Sequence, residues 1–335
     1  MLRVAINGFG RIGRTTLRAG WGRKGIKFVA VNDLTEPRIL AHLLKYDSVF
    51  RKWDKKIEHG KDFIKVDGMK IPVFSQTDPS KLPWKYHKID VVIESTGFFT
   101  KQEDANKHVQ AGARKVIISS PSKDTPTFLM GVNHKVCKRN QNVVNNASCT
   151  TNSIAPVAQI LQDTLGVQKA MLTTIHSATS GQNIVDGLPS KRKPDLRRAR
   201  SALINIIPTT TGAAIATTKE VKGLDNKFDG IAVRVPSIDV SLTDFTFLTK
   251  KKTTVEKVNA IFKKASKQPR WKGILGVTDE PLVSTDFIQT PYGSVVDLEM
   301  TRVVDGDLVK VLAWYDNEWG YAERLLDMVK YVGKL

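Results

Sequence analysis

The sequence predicts an α/β protein: a doubly wound parallel sheet joined to a second, α+β domain with a mixed or antiparallel sheet. Three observations predict it. Gly8-Phe9-Gly10-Arg11-Ile12-Gly13 follows an apolar strand at once and opens a helix, as in a Rossmann-type domain. Short apolar strands then alternate with helical stretches, the pattern of parallel strands joined by crossover helices. Past residue 149 the strands lengthen and alternate apolar with polar side chains, as antiparallel strands do. At about 150 residues per domain, the 335-residue chain holds two. The expected division is 1–148 and 149–315, with a C-terminal helix in 316–335 packing back on the first domain.

Residues 2–6 read as a buried strand, with helix following from Arg14 to Ala19. Residues 26–31 make a second strand that ends in Asn32-Asp33. Residues 89–93 and 115–118 are further buried strands, with a helix over 101–111 between them. Residues 143–148 read as a strand running straight into Cys149. Ile154, Ala158, Leu161 and Leu165 then recur at four, three and four residues, one apolar helical face closed by Gly166. In the second half, 170–175, 231–235, 238–248 and 308–315 read as strands. Ile238, Val240 and Leu242 alternate with polar neighbours, which suits a sheet with one solvated or packed face. Residues 254–265 and 320–332 read as helices.

Lys and Arg outnumber Asp and Glu by 52 to 33, a net charge of +19, so the expected partners are anionic: phosphorylated metabolites, nucleic acid or acidic surfaces. No run of about 18 apolar residues is present, which excludes a membrane-spanning helix. Two cysteines exclude a disulfide scaffold and a four-cysteine zinc site. No metal is expected, and a reducing, cytoplasmic compartment is. The N-terminal segment turns polar at Asn7 and is not expected to act as a signal peptide. The most basic stretch, 189–200, carries six Lys or Arg against one Asp, and Pro189 and Pro194 make it a loop. Charge alone leaves it either a solvated or subunit-facing loop or a phosphate-contacting one.

Glycines at 8, 10 and 13 let the chain turn tightly and let backbone N–H groups approach a pyrophosphate, which the helix N-terminus favours. Asp33 can accept from a ribose diol, and its charge would repel a 2′-phosphate, which points to NAD rather than NADP. Ser148-Cys149-Thr150 places a thiol at a helix N-terminus. The helix dipole and free N–H groups there favour a thiolate, so the thiol pKa is expected to fall. A thiolate is the nucleophile needed to attack an aldehyde. His176, closing the strand before it, is the candidate base. His42, His59, His87, His108 and His134 read as surface or packing residues, and Cys137 as structural.

NGFGRIGR, VNDL, LLKYDSV, ESTGFF, ASCTTN, TTIHS, DLRRAR, IPTTTGAA, AVRVP and WYDNEWGY occur in this order. With them the chain resembles, from residue 3 to about 332, the phosphorylating glyceraldehyde-3-phosphate dehydrogenases of the bacterial or organelle-like type. The resemblance implies a homotetrameric glycolytic enzyme. Its substrates would be glyceraldehyde 3-phosphate, NAD and inorganic phosphate, its products 1,3-bisphosphoglycerate and NADH. It implies Cys149 as the thiolate that forms a hemithioacetal and His176 as its base. Beside the three glycines it implies cofactor contacts from Arg11, Ile12, Asp33, Ser119 and Asn317, the last near the nicotinamide amide. Thr179 and Arg234 would meet the substrate's own phosphate. Ser148, Thr150, Thr211 and Gly212 would form the inorganic-phosphate site, with Arg198 between the two anions.

The chain also departs from that pattern. Ser153 stands where many relatives carry a second cysteine, Thr77 where an arginine is common, and Ala178 where an aromatic follows the histidine. The loop Leu188–Arg198 reads as about two to three residues longer, an insertion of the kind loop tips tolerate. These departures bear on cofactor affinity and subunit contacts. One rival reading is erythrose-4-phosphate dehydrogenase, which hydrolyses its thioester; the retained Thr209-Thr210-Thr211-Gly212 favours phosphorolysis. A more remote rival is a nucleic-acid-binding protein. No helix-turn-helix, zinc-finger or aromatic-basic signature supports it, and weak, salt-sensitive association is expected at most as a side activity.

Overall fold

A computed structural model describes residues 1–189 and 194–335; positions 190–193, with the Lys-Arg-Lys run of the basic loop, lie outside the described residues. The chain divides into two compact units, Met1–Ser148 with Ala322–Leu335, and Cys149–Tyr321.

The first unit contains β1 (Leu2–Asn7), α1 (Arg11–Gly20), β2 (Ile26–Asn32), α2 (Pro37–Lys45), β3 (Ile57–His59), β4 (Phe63–Val66), β5 (Met69–Phe74), β6 (Val91–Glu94), α3 (Gln102–Gln110), β7 (Lys115–Ile118) and β8 (Val143–Asn145). The sheet order is β3-β4-β5-β2-β1-β6-β7-β8. From β5 to β8 neighbouring strands run parallel, while β3 and β4 add an antiparallel edge. The parallel strands are apolar on both faces because each face carries its own core. Ile6, Val91, Ile93 and Ile117 pack with Leu17, Leu325 and Val329 on one side. Ala5, Val92 and Val116 pack with Trp84 and Ala105 on the other. The order of strands reverses at β1, and the crevice at the carboxyl end of such a strand is where doubly wound sheets take ligands.

The second unit contains α4 (Cys149–Thr164), β9 (Val167–His176), β10 (Ile207–Thr210), α5 (Ala213–Glu220), β11 (Phe228–Arg234), β12 (Ser241–Thr249), α6 (Val255–Ser266), β13 (Leu275–Thr278), β14 (Ser294–Val304) and β15 (Leu308–Tyr315). It also holds the first residues of α7 (Trp319–Val332). Its mixed sheet has the order β10-β11-β9-β12-β15-β14-β13. The pairs β9–β11 and β13–β14 are parallel and the others antiparallel.

Two local readings are corrected. The strand expected over 143–148 stops at Asn145, because Ala147 takes φ +53 and ends the extended run before the helix. The strand expected over 238–248 starts only at Ser241. Ile238 is exposed, and Val240 is buried with φ +62, so the chain turns there and the side-chain phase is reset. The buried face of β12 is Ser241, Thr243, Phe245, Phe247 and Thr249, and Leu242 lies off it.

Candidate active site

Cys149 is the first residue of α4 and His176 the last of β9. His176 Nε2 lies 3.6 Å from Cys149 Sγ, the contact of a nucleophile and its base. Thr150 Oγ1 lies 3.9 Å from the sulfur. Parallel pairing of β9 and β11 sets His176 opposite Arg234. Through that register Arg234 Nη1 comes 2.7 Å from His176 Nδ1 and donates to the Ser177 carbonyl at 2.8 Å. Nδ1 is also 2.8 Å from the same carbonyl. Two proton arrangements satisfy this cluster. With Nδ1–H donated to Ser177, Nε2 faces the thiol as a lone pair and can accept its proton. With Arg234 donating to Nδ1, Nε2–H faces the sulfur and can donate to a thiolate.

Tyr315, at the end of β15, supports the same cluster. Its hydroxyl lies 3.1 Å from Thr150 Oγ1 and 2.8 Å from Thr174 Oγ1, and its ring packs edge-on against the imidazole at 6.0 Å. Burial, then the charge of Arg234, then that of Arg198 lower the His176 pKa to about 3, against the hydrogen bond to Ser177. The imidazole is therefore neutral near pH 7, as a base must be. The thiol behaves otherwise than the sequence suggests. Burial pushes the Cys149 pKa up. Arg234, the Thr150 side chain and the helix-start N–H groups of Thr150 and Cys149 all pull it down without overcoming the loss of water. The resting pair is thus a thiol beside a neutral imidazole.

The residues expected around anions lie mainly in the same unit. Arg234 is 9% exposed, and its Nε is buried with no hydrogen-bond partner. Arg198 donates Nε to Thr209 Oγ1 at 3.0 Å and Nη2 to the Thr210 carbonyl at 3.2 Å, and pairs with Asp195 at 3.5 Å. Thr211 Oγ1 accepts from Ala213 N–H, and Gly212 stands at the N-terminus of α5 with open space where a Cβ would be. Thr150 is buried, Ser148, the last residue of the first unit before α4, half-buried, and Thr179 exposed, its N–H donating to Gln182. Asn317 Oδ1 accepts from Ser177 Oγ at 2.9 Å and Ser241 Oγ at 2.7 Å, which orients its amide with Nδ2 on the opposite side.

In the first unit the glycine turn sits at the carboxyl end of β1. Gly8 has φ +91, and a Cβ there would meet Thr96 N at 2.5 Å. A Cβ on Gly13 would meet the Gly8 carbonyl at 2.3 Å, whereas one on Gly10 would meet nothing within 4 Å. The first and third glycines thus close the turn, and the second leaves its outer side clear. Asp33 Oδ2 accepts from Phe9 N–H at 2.7 Å and Oδ1 from Thr35 N–H at 2.9 Å, so its carboxylate stands against the turn. Arg11 pairs with Asp47 and lies over the Phe50 ring at 5.5 Å. Ile12 packs on the core edge, and Ser119 follows β7 with its N–H on the Glu94 carbonyl. Among the described residues, no group of three or more His, Cys, Asp or Glu could hold a metal ion.

Sequence reasoning missed several members of this site. Tyr315, Ser177 and Ser241 act through hydrogen bonds that only the register of β9, β12 and β15 creates. The available signal was the polar side chain at inward positions of β12, which the wrong strand phase concealed.

Comparison with known proteins agrees with these parts. Residues 2–102 match the family model described as glyceraldehyde 3-phosphate dehydrogenase, NAD binding domain. Residues 148–317 match glyceraldehyde 3-phosphate dehydrogenase, C-terminal domain. The chain is 51% identical to a glyceraldehyde-3-phosphate dehydrogenase of Thermotoga maritima, over 100% of both chains. It is 48% identical to glyceraldehyde-3-phosphate dehydrogenase 1 of Bacillus cereus, over 99% of this chain and 98% of that one. The enzyme of Streptomyces coelicolor is 48% identical with the same coverage.

Proposed function

The chain belongs to the glyceraldehyde-3-phosphate dehydrogenase family, and on that premise we propose how its residues divide the work. It is an NAD-dependent aldehyde dehydrogenase of glycolysis that converts glyceraldehyde 3-phosphate and inorganic phosphate to 1,3-bisphosphoglycerate. The observation that carries the mechanism is the 3.6 Å contact of Cys149 Sγ with His176 Nε2, with Arg234 against the far side of the imidazole.

The glycine turn fits NAD, since its outer side is open at Gly10 and Asp33 stands beside it to accept from a ribose diol. Bound there, NAD supplies the acceptor for the hydride. Arg11, Ile12 and Ser119 complete that site, and Asn317 offers Nδ2–H to the nicotinamide amide.

His176 Nε2 takes the Cys149 proton as the sulfur adds to the aldehyde carbon, and returns it to the carbonyl oxygen, giving a hemithioacetal. It takes the hydroxyl proton again as the carbon is oxidised, leaving a thioester. Thr179 and the Arg234 guanidinium hold the phosphate already on the substrate. Ser148, Thr150, Thr211, Gly212 and Arg198 hold inorganic phosphate, whose oxygen attacks the thioester carbon and releases the Cys149 sulfur. The charge of Arg234 favours the sulfur anion at both ends of the cycle.

The chain assembles as a homotetramer. Support comes from apolar side chains left exposed on a single copy, among them Ile184, Val185, Leu196, Ile204 and Ile206. No described helix is long and apolar enough to cross a membrane, and two free cysteines suit a cytoplasmic site of action. The test is NADH formation from glyceraldehyde 3-phosphate with inorganic phosphate present or withheld. Turnover should require phosphate; equal turnover without it would assign the enzyme to hydrolysis.

A further inference from the structure

Antiparallel pairing of β12 and β15 sets Ser241 opposite Tyr315. The residues just outside that pair, Asp239 before β12 and Asp316 after β15, therefore share one end of the sheet. Both are buried, at 3% and 1% exposure. Asp316 is engaged on both oxygens: Oδ1 accepts from the N–H groups of Glu318 and Trp319, and Oδ2 from Gln289 N–H. No side chain donates to either carboxyl oxygen of Asp239, and the one backbone N–H that bears on it is that of Val240. The charges bearing on Asp239 are those of Asp316 and Glu318, both acidic. Val240 packs with Phe287 and Val295, and Asp286 on that segment spends its carboxylate on Val283 N–H. An ionised Asp239 would be a buried charge facing two acidic groups with only the Val240 N–H to offset it, and two carboxylates side by side have no proton with which to bond.

The backbone beside it is strained. Val240 is β-branched, buried and at φ +62, a conformation such residues rarely take and that persists where its surroundings impose it. The same kink sets Asp239 inward and turns Ser241 Oγ onto Asn317 Oδ1 at 2.7 Å. Asn317 directly follows Asp316 in the chain.

We propose that Asp239 is held as a neutral carboxylic acid donating a hydrogen bond to Asp316, and that this shared proton positions Asn317 for the cofactor. The inference rests on the reading of Asn317 as a nicotinamide contact. Burial and the negative charges of Asp316 and Glu318 push the Asp239 pKa up, to about 9, in keeping with a proton retained at neutral pH. In the unfolded chain the group ionises in the ordinary carboxylate range. The stability tied to the proton is thus complete below that range and is lost as pH rises through about 9. NAD affinity should fail over the upper part of the same span.

The test uses the full-length enzyme and three variants, with NAD affinity by calorimetry, KM for NAD, kcat and thermal midpoint followed from neutral pH to beyond the ionisation of Asp239. Asp239→Asn keeps a donor of the same shape and cannot ionise. It should hold NAD as the unsubstituted enzyme does at neutral pH, lose the alkaline decline, and unfold at a higher temperature than that enzyme at alkaline pH. Asp239→Ala lacks the donor, and KM for NAD should rise about fivefold to tenfold, the worth of one hydrogen bond, with kcat little changed. Should the alanine chain fail to fold, the asparagine profile decides alone. If Asp239→Asn declines at alkaline pH just as the unsubstituted enzyme does, while Asn317→Ala weakens NAD, the inference is overturned and the reading of Asn317 stands. If Asn317→Ala leaves NAD affinity unchanged, that reading falls and the positioning role of Asp239 with it.

Discussion

Cys149 and His176 rest neutral, so the proton has to move when the aldehyde arrives rather than before. Cys149→Ser should abolish oxidation while leaving NAD binding intact, because a serine hydroxyl beside the same imidazole is far less nucleophilic; turnover above a trace in a clean preparation would count against the role. His176→Asn should slow oxidation about 10²–10⁴-fold, the usual worth of a positioned base. Among the groups that pull the thiol pKa down, Arg234 is the largest. Arg234→Ala should therefore move the pH midpoint of Cys149 alkylation by iodoacetamide upward; a midpoint that stays put or falls would show that the guanidinium does not act on the sulfur. The same change should cost the phosphorylated substrate about 1.5–3 kcal/mol in kcat/KM, more than it costs unphosphorylated glyceraldehyde. At this scale the sequence revealed which residue types were present, since a thiol at a helix start and a histidine at a strand end are local patterns. The direction of the thiol pKa was not legible, because it depends on how much water the folded chain removes.

The glycine turn shows how an element earns its sequence. Gly8 and Gly13 are needed by the protein itself, Gly8 for its positive φ and both for the backbone a Cβ would strike, whereas the outer side of Gly10 is free. Gly13→Ala should lower the thermal midpoint even without NAD. Gly10→Ala should leave that midpoint where it is and raise KM for NAD. A drop in midpoint for Gly10→Ala would mean that the open space is closed in solution. The elements with the strongest patterns, β1, β2, β7 and α4, were readable because apolar runs and a 3.6-residue period survive in one dimension. The strands β3 and β4 at the antiparallel edge are three and four residues long, and β5 beside them alternates buried with half-exposed positions, so none left such a run. The start of β12 was misread because a left-handed Val240 cannot be inferred from a residue type that avoids that conformation. That error also hid Asp239 and Ser241.

For the whole molecule, a net charge of +19 surrounds a reaction whose substrates are all anions. Association of glyceraldehyde 3-phosphate should be steered by this field, so kcat/KM should fall as inert salt is raised, and more steeply than for unphosphorylated glyceraldehyde. Equal salt slopes for the two aldehydes would remove the steering. In the proposed homotetramer, the exposed Ile184, Val185, Leu196, Ile204 and Ile206 would be covered by further copies, and native mass spectrometry should find four chains at working concentration; a stable monomer would count against that proposal. All of these expectations presuppose the covalent route through one sulfur. The measurement that tests it most directly is intact-protein and peptide mass spectrometry of the enzyme mixed with glyceraldehyde 3-phosphate and NAD, with phosphate withheld. A 3-phosphoglyceroyl adduct should accumulate on the peptide carrying Cys149 and disappear when inorganic phosphate is added, as 1,3-bisphosphoglycerate forms. NADH formation with no adduct at Cys149, or an adduct that phosphate does not discharge, would contradict the account.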